Sequence, residues 1–481
     1  MKARHALALF LAAAMPVANA VNLNPNGHGQ VLIWPYYTAN AGHSTLLSIV
    51  NDSARTKALK LRFHEGVNGR VVFSANLYLD AHDMWTAGVF EAGDGTAALV
   101  TDDVSCTVPD LRNDAALPSL PDGRRYAKFS TADYTGARAD GGATDTARTR
   151  EGHVEIIEMG KVAGDSSAAV RMIYDERLHP ADCARLAAAW QPGGYWASNA
   201  STDVTAPAGG LVGNATIVNA ARGSVLGYPA TALDGFSVRS MHTGPDDAHP
   251  DLGDALTDEV AGIASAFVST GTRTIRADYP AERAIDAVSA VLATPYQLGE
   301  VIKSRAGSVR TEWILSAPTK RFYVDAALDR EAIGQAPFNQ RFGTPYAGMA
   351  CRSNIMATYR DYIVSRDGEE LLDFPEPAPR AMLCFDTTVA STSGTPPTPL
   401  FGSSNANSAG GSFETGYMRL SWRNARVRAA NGGEEFVGLP VIGIQATNWF
   451  NGNVTPGVLA NYALAVPLRT ESECVKGGGD C

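Results

Sequence analysis

The chain has 481 residues, of which 45% are hydrophobic and 19% are charged, and its formal net charge is −10 at pH 7. A hydrophobic fraction of this size supports a packed core and excludes a disordered or low-complexity scaffold. The negative charge argues against a protein that binds nucleic acid or an anionic membrane by electrostatic attraction.

Residues 1–20 have the pattern of a secretory signal peptide. Lys2 and Arg4 form a basic start, and an unbroken apolar stretch follows at residues 6–15. Ala18 and Ala20 supply the small residues that precede a cleavage site. We therefore expect cleavage before Val21 and an exported protein, located in the periplasm, at the cell surface or outside the cell. No later segment has the ~20 apolar residues of a transmembrane helix, so we expect none in the mature chain.

The even number of cysteines fits an oxidising compartment, where disulfides persist. A metal site is the alternative, but the wide spacings contain no Cys-x-x-Cys pair. Sequence alone cannot select one connectivity among the many that six cysteines allow. We predict bridges between chain neighbours: Cys106 with Cys183, Cys351 with Cys384, and Cys474 with Cys481.

The first hundred residues of the mature chain predict short antiparallel strands. In residues 58–64, apolar Leu59, Leu61 and Phe63 alternate with polar side chains, and residues 73–79 repeat this alternation. Turn-forming residues separate such segments roughly every ten positions, which is typical of an antiparallel sandwich. We therefore predict immunoglobulin-like β-sandwich units.

The middle of the chain predicts both strands and helices. Residues 153–159 and 211–219 have strand patterns, and residues 181–190 have the pattern of a short helix. Apolar residues at helical spacing predict a helix over 252–267, with Asp251 as its cap. Pro280 is placed to open another helix, which ends before Pro295.

Strand patterns return near the end of the chain. Residues 311–316, 321–325, 417–422 and 437–447 are rich in β-branched and aromatic residues. Residues 386–412 are rich in Ser, Thr, Gly, Pro and Asn and predict a long exposed loop.

These patterns predict a mainly β protein built of antiparallel sandwich units with a mixed α/β middle insertion. Its parts are the signal peptide (1–20), N-terminal sandwich strands (21–105), the middle region (106–385), an exposed loop (386–412) and C-terminal strands (413–481). We interpret the C-terminal strands as completing the N-terminal sandwich, because the opening strands are too few to close it alone.

Residues 21–25, 29–38, 45–51, 77–79, 85–87 and 318–325 carry a resemblance that reaches both ends of the mature chain. In these stretches the chain resembles a family of exported proteins of Gram-negative bacteria, uncharacterised and labelled as cell-surface proteins. The resemblance implies an exported, β-rich protein. It implies no enzymatic activity and assigns no site residue.

The acidic segment 242–258 is the strongest candidate for a metal site. Carboxylate oxygens crowded in one loop suit calcium, and the candidate ligands are Asp246, Asp247, Asp251 and Asp254. The alternative is a solvated acidic loop that leads into a helix, whose N-terminus favours aspartate without a metal. Calcium is the one cofactor that the residue pattern leaves open.

The aromatic cluster Trp34, Tyr36 and Tyr37 is the strongest candidate for a binding surface. Such rings can stack on sugars or accept a strand of another chain. The alternative is a strand that lines the core, where aromatic side chains contribute much of the buried area.

No motif of a zinc protease, an α/β-hydrolase, a phosphate-binding loop or a dinucleotide fold occurs. We therefore predict no catalytic residue and expect a non-enzymatic exported protein with a structural, adhesive or binding role at the bacterial cell envelope. Its expected partners are other envelope proteins, glycans or copies of itself, without nucleic acid. The alternative is a secreted hydrolase or carbohydrate-active enzyme with an unrecognised site in the middle region, for which Glu155 and Glu158 offer a carboxylate pair.

Overall fold

The computed structural model describes residues 19–304, 307–338, 356–365, 381–383, 385–393, 399–409 and 414–481. Residues 1–18 of the predicted signal peptide and both cysteines of the predicted Cys351–Cys384 bridge lie outside these ranges. The other two predicted disulfides, Cys106–Cys183 and Cys474–Cys481, are present. These two cysteine pairs are therefore confirmed.

The first half of the chain is a succession of short strands. In chain order they are β1 (Asn22–Leu23), β2 (Val31–Thr38), β3 (Ser44–Asn51), β4 (Lys57–Glu65), β5 (Val71–Leu79), β6 (Met84–Glu91), β7 (Ala97–Val100), β8 (Cys106–Val108), β9 (Tyr126–Lys128), β10 (Glu151–Val162), β11 (Met172–Tyr174), β12 (Leu178–Pro180), β13 (Val204–Thr205), β14 (Leu211–Asn219), β15 (Ser224–Pro229) and β16 (Thr231–Asp234).

The second half is also mainly β. Its strands are β17 (Ile263–Ser269), β18 (Thr274–Pro280), β19 (Ala293–Thr294), β20 (Tyr296–Ile302), β21 (Val309–Ser316), β22 (Met356–Ser365), β23 (Ala381–Leu383), β24 (Thr387–Ser391), β25 (Ala406–Ser408), β26 (Thr415–Ser421), β27 (Glu434–Phe436), β28 (Leu439–Pro440), β29 (Ile442–Trp449), β30 (Gly452–Thr455), β31 (Val458–Leu459), β32 (Tyr462–Pro467), β33 (Cys474–Lys476) and β34 (Gly479–Asp480).

The helices are short. The α-helices are α1 (Gly164–Val170), α2 (Cys183–Ala189), α3 (Tyr195–Ser198), α4 (Ala284–Leu292) and α5 (Arg321–Val324). Single 3-10 turns are formed by Gly136–Arg138, Thr146–Arg150, Leu252–Asp254, Ala281–Arg283 and Ala326–Leu328. Within the described ranges, no helix combines the length and the apolar character needed to cross a membrane.

Two antiparallel sheets, which we call sheet A and sheet B, contain most strands of the first half. Sheet A has the order β1-β16-β2-β10-β4-β5-β8, with β13 beside β10, and sheet B has the order β15-β14-β3-β6-β7-β9. They share one core, to which β2 and β4 of sheet A contribute Trp34, Leu61 and Phe63, and β3 and β6 of sheet B contribute Ile49 and Trp85. The period-two alternation that predicted these strands therefore also selects the face that each strand buries.

Two further sheets, sheet C and sheet D, are formed by the later strands. Sheet C has the order β25-β24-β21-β29-β32 and sheet D the order β20-β26-β22-β23. The β24–β25 pair is parallel, whereas the other pairs in these two sheets are antiparallel. The mainly antiparallel β class is thus confirmed. In the described ranges the strands after residue 413 do not pair with strands of sheets A and B, and the predicted domain boundaries stay a prediction.

A second core joins the later elements to the outer face of sheet A. Val31 and Ile33 point away from sheet B and pack in one cluster with Val288 of α4, Trp313 of β21 and Tyr323 of α5. Sheet A is therefore covered on both faces, which places the polar side chains of its outer face inside the protein.

The predicted helix over 252–267 is wrong beyond its first turn. Asp251 does cap a turn, accepting the Gly253 N–H at 2.8 Å, but the helix stops at Asp254. Asp258 then accepts the N–H groups of Val260 and Ala261, which makes a turn, and β17 follows in antiparallel pairing with β18. The β-branched and aromatic residues of 263–269 favour the strand once a partner strand is available.

The other elements of the middle region agree more closely with the prediction. The helix after Pro280 is confirmed as α4, and the predicted helix around 181–190 is confirmed as α2. The predicted strand over 321–325 is wrong, because these residues form α5. As a helix, this segment brings the Tyr323 hydroxyl to Asp286 and Ser289, at 2.7 and 2.8 Å.

The predicted exposed loop over 386–412 is wrong for its first part. Thr387–Ser391 is the buried strand β24, which pairs with β21. Residues 394–398 and 410–412 of this segment lie outside the described residues. The small polar side chains that predicted a loop are buried because several of them find hydroxyl partners, as Thr387 does in Ser316 at 2.6 Å.

Candidate functional site

The outer face of sheet A carries a row of charged and polar side chains. On β4 they are Lys60, Arg62 and His64, and on β10 they are His153 and Glu155; all five residues are buried. Burial of charge is costly unless each group has partners. The segments that cover this face must therefore supply hydrogen-bond or ion-pair partners for these side chains.

The segment 243–250 covers one end of this row with backbone carbonyls. Lys60 Nζ donates to the carbonyl oxygen of Gly244, and Arg62 donates to the carbonyl oxygens of Pro250 and, at 2.7 Å, Asp247. Burial, together with the neighbouring Arg62 charge, lowers the pKa of Lys60 to about 7. Carbonyl dipoles thus replace the water that these cations would otherwise bind.

The other end of the row is a hydrogen-bonded network of two histidines and two carboxylates, which we call the histidine–carboxylate network. His64 and His153 lie opposite each other on β4 and β10, and their rings are parallel with centroids 4.5 Å apart. Glu155 approaches His153 Nε2 at 3.1 Å with Oε1 and His64 Nε2 at 3.2 Å with Oε2. Asp386 Oδ2 lies 2.7 Å from His153 Nδ1.

The protonation of His153 follows from its neighbours. Both ring nitrogens face carboxylates, so the doubly protonated form satisfies both contacts. Burial lowers the pKa of His153, but the charge of Asp386 and the hydrogen bonds to Asp386 and Glu155 outweigh it and raise the pKa to about 9. Burial raises the pKa of Glu155, yet His64 and His153 hold it well below the usual range. An ion pair between His153 and its carboxylates results.

For His64, burial and neighbouring charge shift the pKa in a different net direction. Its Nδ1 lies 3.0 Å from the carbonyl oxygen of Gly69, and its Nε2 faces Glu155. The Gly69 contact is a hydrogen bond, whereas Nε2 lies 3.2 Å from Glu155 Oε2 without hydrogen-bond geometry, so a neutral ring with its proton on Nδ1 satisfies the hydrogen bond that His64 makes. Burial lowers the pKa of His64 more than Glu155 raises it. Gly69 has φ +71°, and a Cβ there would lie 2.8 Å from Asp386 Oδ1, so glycine is required for this approach.

Two histidines and a carboxylate are also a ligand set for zinc or iron. The candidate ligand atoms of His64, His153 and Glu155 lie within 4.8 Å of one another. A metal must lie near the plane of each imidazole ring, at about 2.0–2.1 Å from its nitrogen. The two rings are inclined by 2° and stacked, so their planes have no such point in common. This arrangement fits shared protons and not a metal ion.

Beside the network, a cleft of about 570 Å³ opens between sheet A, the loop 130–138 and the segments 246–251 and 321–328. Its lining includes Arg62, Arg70, Phe73, Asp247, Asp251 and Arg321. Arg62, which lines the cleft, lies across from Glu155 of the network in the β4–β10 pairing. The volume is in the range of small-molecule sites.

The β4–β5 connection that carries Arg70 is fixed by buried ion pairs. Arg148 donates to both oxygens of Glu65, at 2.7 and 2.9 Å, and to Asp140. Glu65 also accepts the backbone N–H of Arg70 at 2.9 Å. Arg70 in turn forms an ion pair with Asp325 at 3.0 Å. These buried ion pairs therefore fix the position of this wall of the cleft without a bound ligand.

The predicted metal ligands lie at or near this cleft. Asp246 and Asp247 are exposed and line it, and Asp251 lines it from a buried position. Asp251 accepts Arg330 at 3.0 Å, while Asp254 accepts His249 at 2.7 Å and the Asp251 N–H at 2.8 Å. A calcium ion on Asp251 and Asp254 would have to displace Arg330 and His249.

The predicted binding cluster lies in the interior. Trp34, Tyr36 and Tyr37 are each 0% exposed, so no ring face is open to a sugar in solvent. The Tyr36 hydroxyl donates to Glu151 at 3.0 Å, and the Tyr37 hydroxyl donates to the Thr149 carbonyl oxygen at 2.9 Å. These contacts are those of aromatic residues lining a core.

Glu155 and Glu158 belong to separate buried networks. Glu158 accepts Lys57 at 2.8 Å and the N–H groups of Ala208 and Gly209, whereas Glu155 joins the two histidines. The sequence analysis missed the arginines of the cleft and the two buried histidines of the network. A signal existed in the alternation of β4, since Lys60, Arg62 and His64 share one face, but that face is typical of a solvated strand.

No family model, no curated protein and no solved structure matches this chain.

Proposed function

We propose that the protein is a non-enzymatic, exported binding protein of the bacterial cell envelope and that the cleft is its ligand site. The observation that carries the proposal is a cleft of about 570 Å³ whose charged walls are held in place by buried contacts. A wall fixed in advance loses little conformational entropy when a ligand binds. The fixed charged and polar groups that line the cleft suit a polar ligand such as a glycan.

Export and the finer fold are part of the same proposal. The signal-peptide pattern and the two disulfides support an oxidising compartment outside the cytoplasm. We also propose that sheets A and B form an immunoglobulin-like sandwich and that the middle region is a mixed α/β insertion. Membership in the uncharacterised family of exported Gram-negative proteins is proposed on the residues that resemble it.

Cell fractionation with protease shaving, followed by mass spectrometry under non-reducing conditions, tests location. We expect a chain that begins at Val21 in the envelope or outside the cell. A chain retained in the cytoplasm with its first 20 residues would contradict the proposal.

A glycan array made from envelope polysaccharides tests binding. Ala132 is exposed and lines the cleft, so Ala132→Trp fills the cleft without entering the core and should abolish binding. Ala115→Trp, at an exposed position outside the cleft, is the matched control and should bind as the wild type does. Equal binding by both variants would contradict the assignment of the cleft as the site.

The second candidate is a secreted hydrolase that uses the same cleft. The observation that favours it is the position of Asp246 and Asp247, two exposed carboxylates of the middle region on the cleft wall. Incubation of each bound glycan with the protein, followed by mass analysis of the products, separates the two candidates. Cleavage that Asp246→Asn or Asp247→Asn abolishes would favour the hydrolase.

A further inference from the structure

We propose that the cleft binds an oxyanion group, a carboxylate, phosphate or sulfate, between the side chains of Arg62, Arg70 and Arg321. This proposal rests on the proposed function and adds the chemical class of the ligand. These three residues are at most 8% exposed, and all of them line the cleft. A guanidinium is always charged, so three of them in one cleft form a site for a negative group.

Arg62 has only neutral hydrogen-bond partners. Its guanidinium donates to the carbonyl oxygens of Asp247 and Pro250, and in the described part of the chain no carboxylate accepts a hydrogen bond from it. Burial and then the charge of Arg321 lower the pKa of Arg62, and the charges of Asp251, Glu155 and Asp254 offset only part of this shift. Two guanidinium groups that repel each other across a cleft are stabilised by an anion between them.

Arg321 is held by long contacts. Its Nη1 lies 3.5 Å from the Gly69 carbonyl oxygen, and its Nη2 lies 3.8 Å from Asp251 Oδ2. Its buried Nε has no hydrogen-bond partner. The guanidinium packs 4.9 Å from the centre of the Phe322 ring, which fixes its position.

Arg70 presents a further donor. Its Nη2 pairs with Asp325 at 3.0 Å, but its buried Nε has no hydrogen-bond partner and lies 3.9 Å from Asp140. A buried donor without an acceptor costs free energy that a ligand oxygen would recover. The unused Nε donors of Arg70 and Arg321 are thus the second observation that points to an acceptor ligand.

The carboxylates of the cleft have partners of their own. Asp251 pairs with Arg330 at 3.0 Å, Asp133 pairs with Arg138, and Asp247 accepts the Gly244 N–H at 2.7 Å. Asp246 is exposed at the rim. Among these acids Asp251 also contacts Arg321, at 3.8 Å, so an incoming oxyanion, which can accept forked hydrogen bonds from a guanidinium, would replace only this longer contact.

Isothermal titration calorimetry of the purified exported protein at constant ionic strength tests this proposal. The probes are sodium phosphate, sodium sulfate and sodium galacturonate, with neutral galactose as the uncharged counterpart of the last. We expect at least one oxyanion to bind, the others to compete with it, and galactose to bind more weakly than galacturonate. The order of affinities identifies which oxyanion the cleft prefers.

Single substitutions locate the site. Arg70→Gln and Arg321→Gln should each raise Kd roughly 10-fold or more, because each removes a charge-assisted hydrogen bond. Arg138→Gln is the matched control, since Arg138 lines the same cleft but its side chain is 69% exposed and paired with Asp133. It should change Kd by no more than about twofold. Arg70→Lys keeps the charge and provides a milder variant if Arg70→Gln does not fold.

Two results would overturn the proposal: no heat with any of the three oxyanions, or a Kd that folded Arg70 and Arg321 variants leave unchanged. The binding role is tested separately. A neutral glycan that binds the wild type and not Ala132→Trp, with no oxyanion bound, would remove the oxyanion assignment and keep the binding function. Failure of glycans and oxyanions alike would remove both.

Discussion

His153 and Asp386 form a 2.7 Å hydrogen bond between Nδ1 and Oδ2, although 233 positions separate them in the chain. His153 lies on β10 of sheet A, and Asp386 immediately precedes β24 of sheet C. The backbone N–H of Asp386 also donates to the Val67 carbonyl oxygen at 3.0 Å. This pair therefore joins sheet A to the start of β24 in sheet C through a buried charge.

Removal of the Asp386 charge should destabilise the protein. Asp386→Asn leaves the buried His153 cation without one of its two carboxylates, and the loss of one partner of a buried ion pair costs about 3 kcal/mol. Urea denaturation followed by circular dichroism measures the change. The control is Asp175→Asn, because Asp175 pairs with His179 at 3.1 Å on the surface, where solvent screens the pair and no measurable change is expected. Equal effects of both substitutions would contradict the role assigned to burial.

The pH dependence of stability should contain a contribution from His153. Its pKa is about 9 in the folded protein and about 6.5 in the unfolded chain. The folded state therefore binds the proton more tightly, so this stabilisation is complete below pH 6.5 and is lost as the pH rises through about 9.

Urea denaturation at several pH values from 6 to 9.5, on the wild type and on His153→Gln, measures this contribution. The difference in free energy of unfolding between the two should shrink as the pH rises. His179→Gln, which changes an exposed histidine, should give a difference that varies much less over this range. A wild-type to His153→Gln difference that stays constant from pH 6 to 9.5 would exclude a folded-state pKa near 9.

The two disulfides should differ in their effect on stability. Cys106–Cys183 closes a loop across 77 positions and joins β8 to α2, whereas Cys474–Cys481 spans 7 positions. Loop-closure entropy assigns roughly 4 kcal/mol to the first bridge and roughly 2 kcal/mol to the second. Guanidinium denaturation of two variants, each with one cysteine pair replaced by alanine, measures the loss in free energy of unfolding for each bridge. A larger loss on removal of Cys474–Cys481 than on removal of Cys106–Cys183 would contradict the prediction.

A side chain at Gly213 on β14 should lower the free energy of unfolding. A Cβ at this position would overlap the indole ring of Trp34, which is fully buried between sheets A and B. Gly213→Ala should therefore cost about 1–3 kcal/mol by overpacking. Gly227 on the neighbouring strand β15 is the control, since the nearest atom to a Cβ there is Thr216 Oγ1 at 3.5 Å. Thermal unfolding and tryptophan fluorescence should be unchanged by Gly227→Ala and altered by Gly213→Ala.

Errors in the predicted elements occur where a long-range partner decides the conformation. Residues 263–269 have apolar residues at spacings that suit a helix or a strand, and pairing with β18 selects the strand. Thr387–Ser391 has the composition of a loop, and β21 makes it a buried strand. By contrast, α4 and α2 were predictable because caps, prolines and apolar spacing are local features.

The candidate site was less predictable than the strands that carry it. The alternation of Leu59, Leu61 and Phe63 identified the core face of β4 and placed His64 on the opposite face. It did not show that this opposite face is covered, because the covering residues are far away in the chain. Gly244 contacts Lys60 across 184 positions, and Arg62 contacts Pro250 across 188.

The sequence by itself determined the β class and the core face of the early strands, since each depends on residues close together in the chain. Only the tertiary structure decided that the polar face of sheet A is buried and that His153 meets Asp386. It also brought Arg62, Arg70 and Arg321 to one cleft. The physical reason is that a buried charge requires a partner, and the fold supplies that partner from segments whose approach no local pattern encodes.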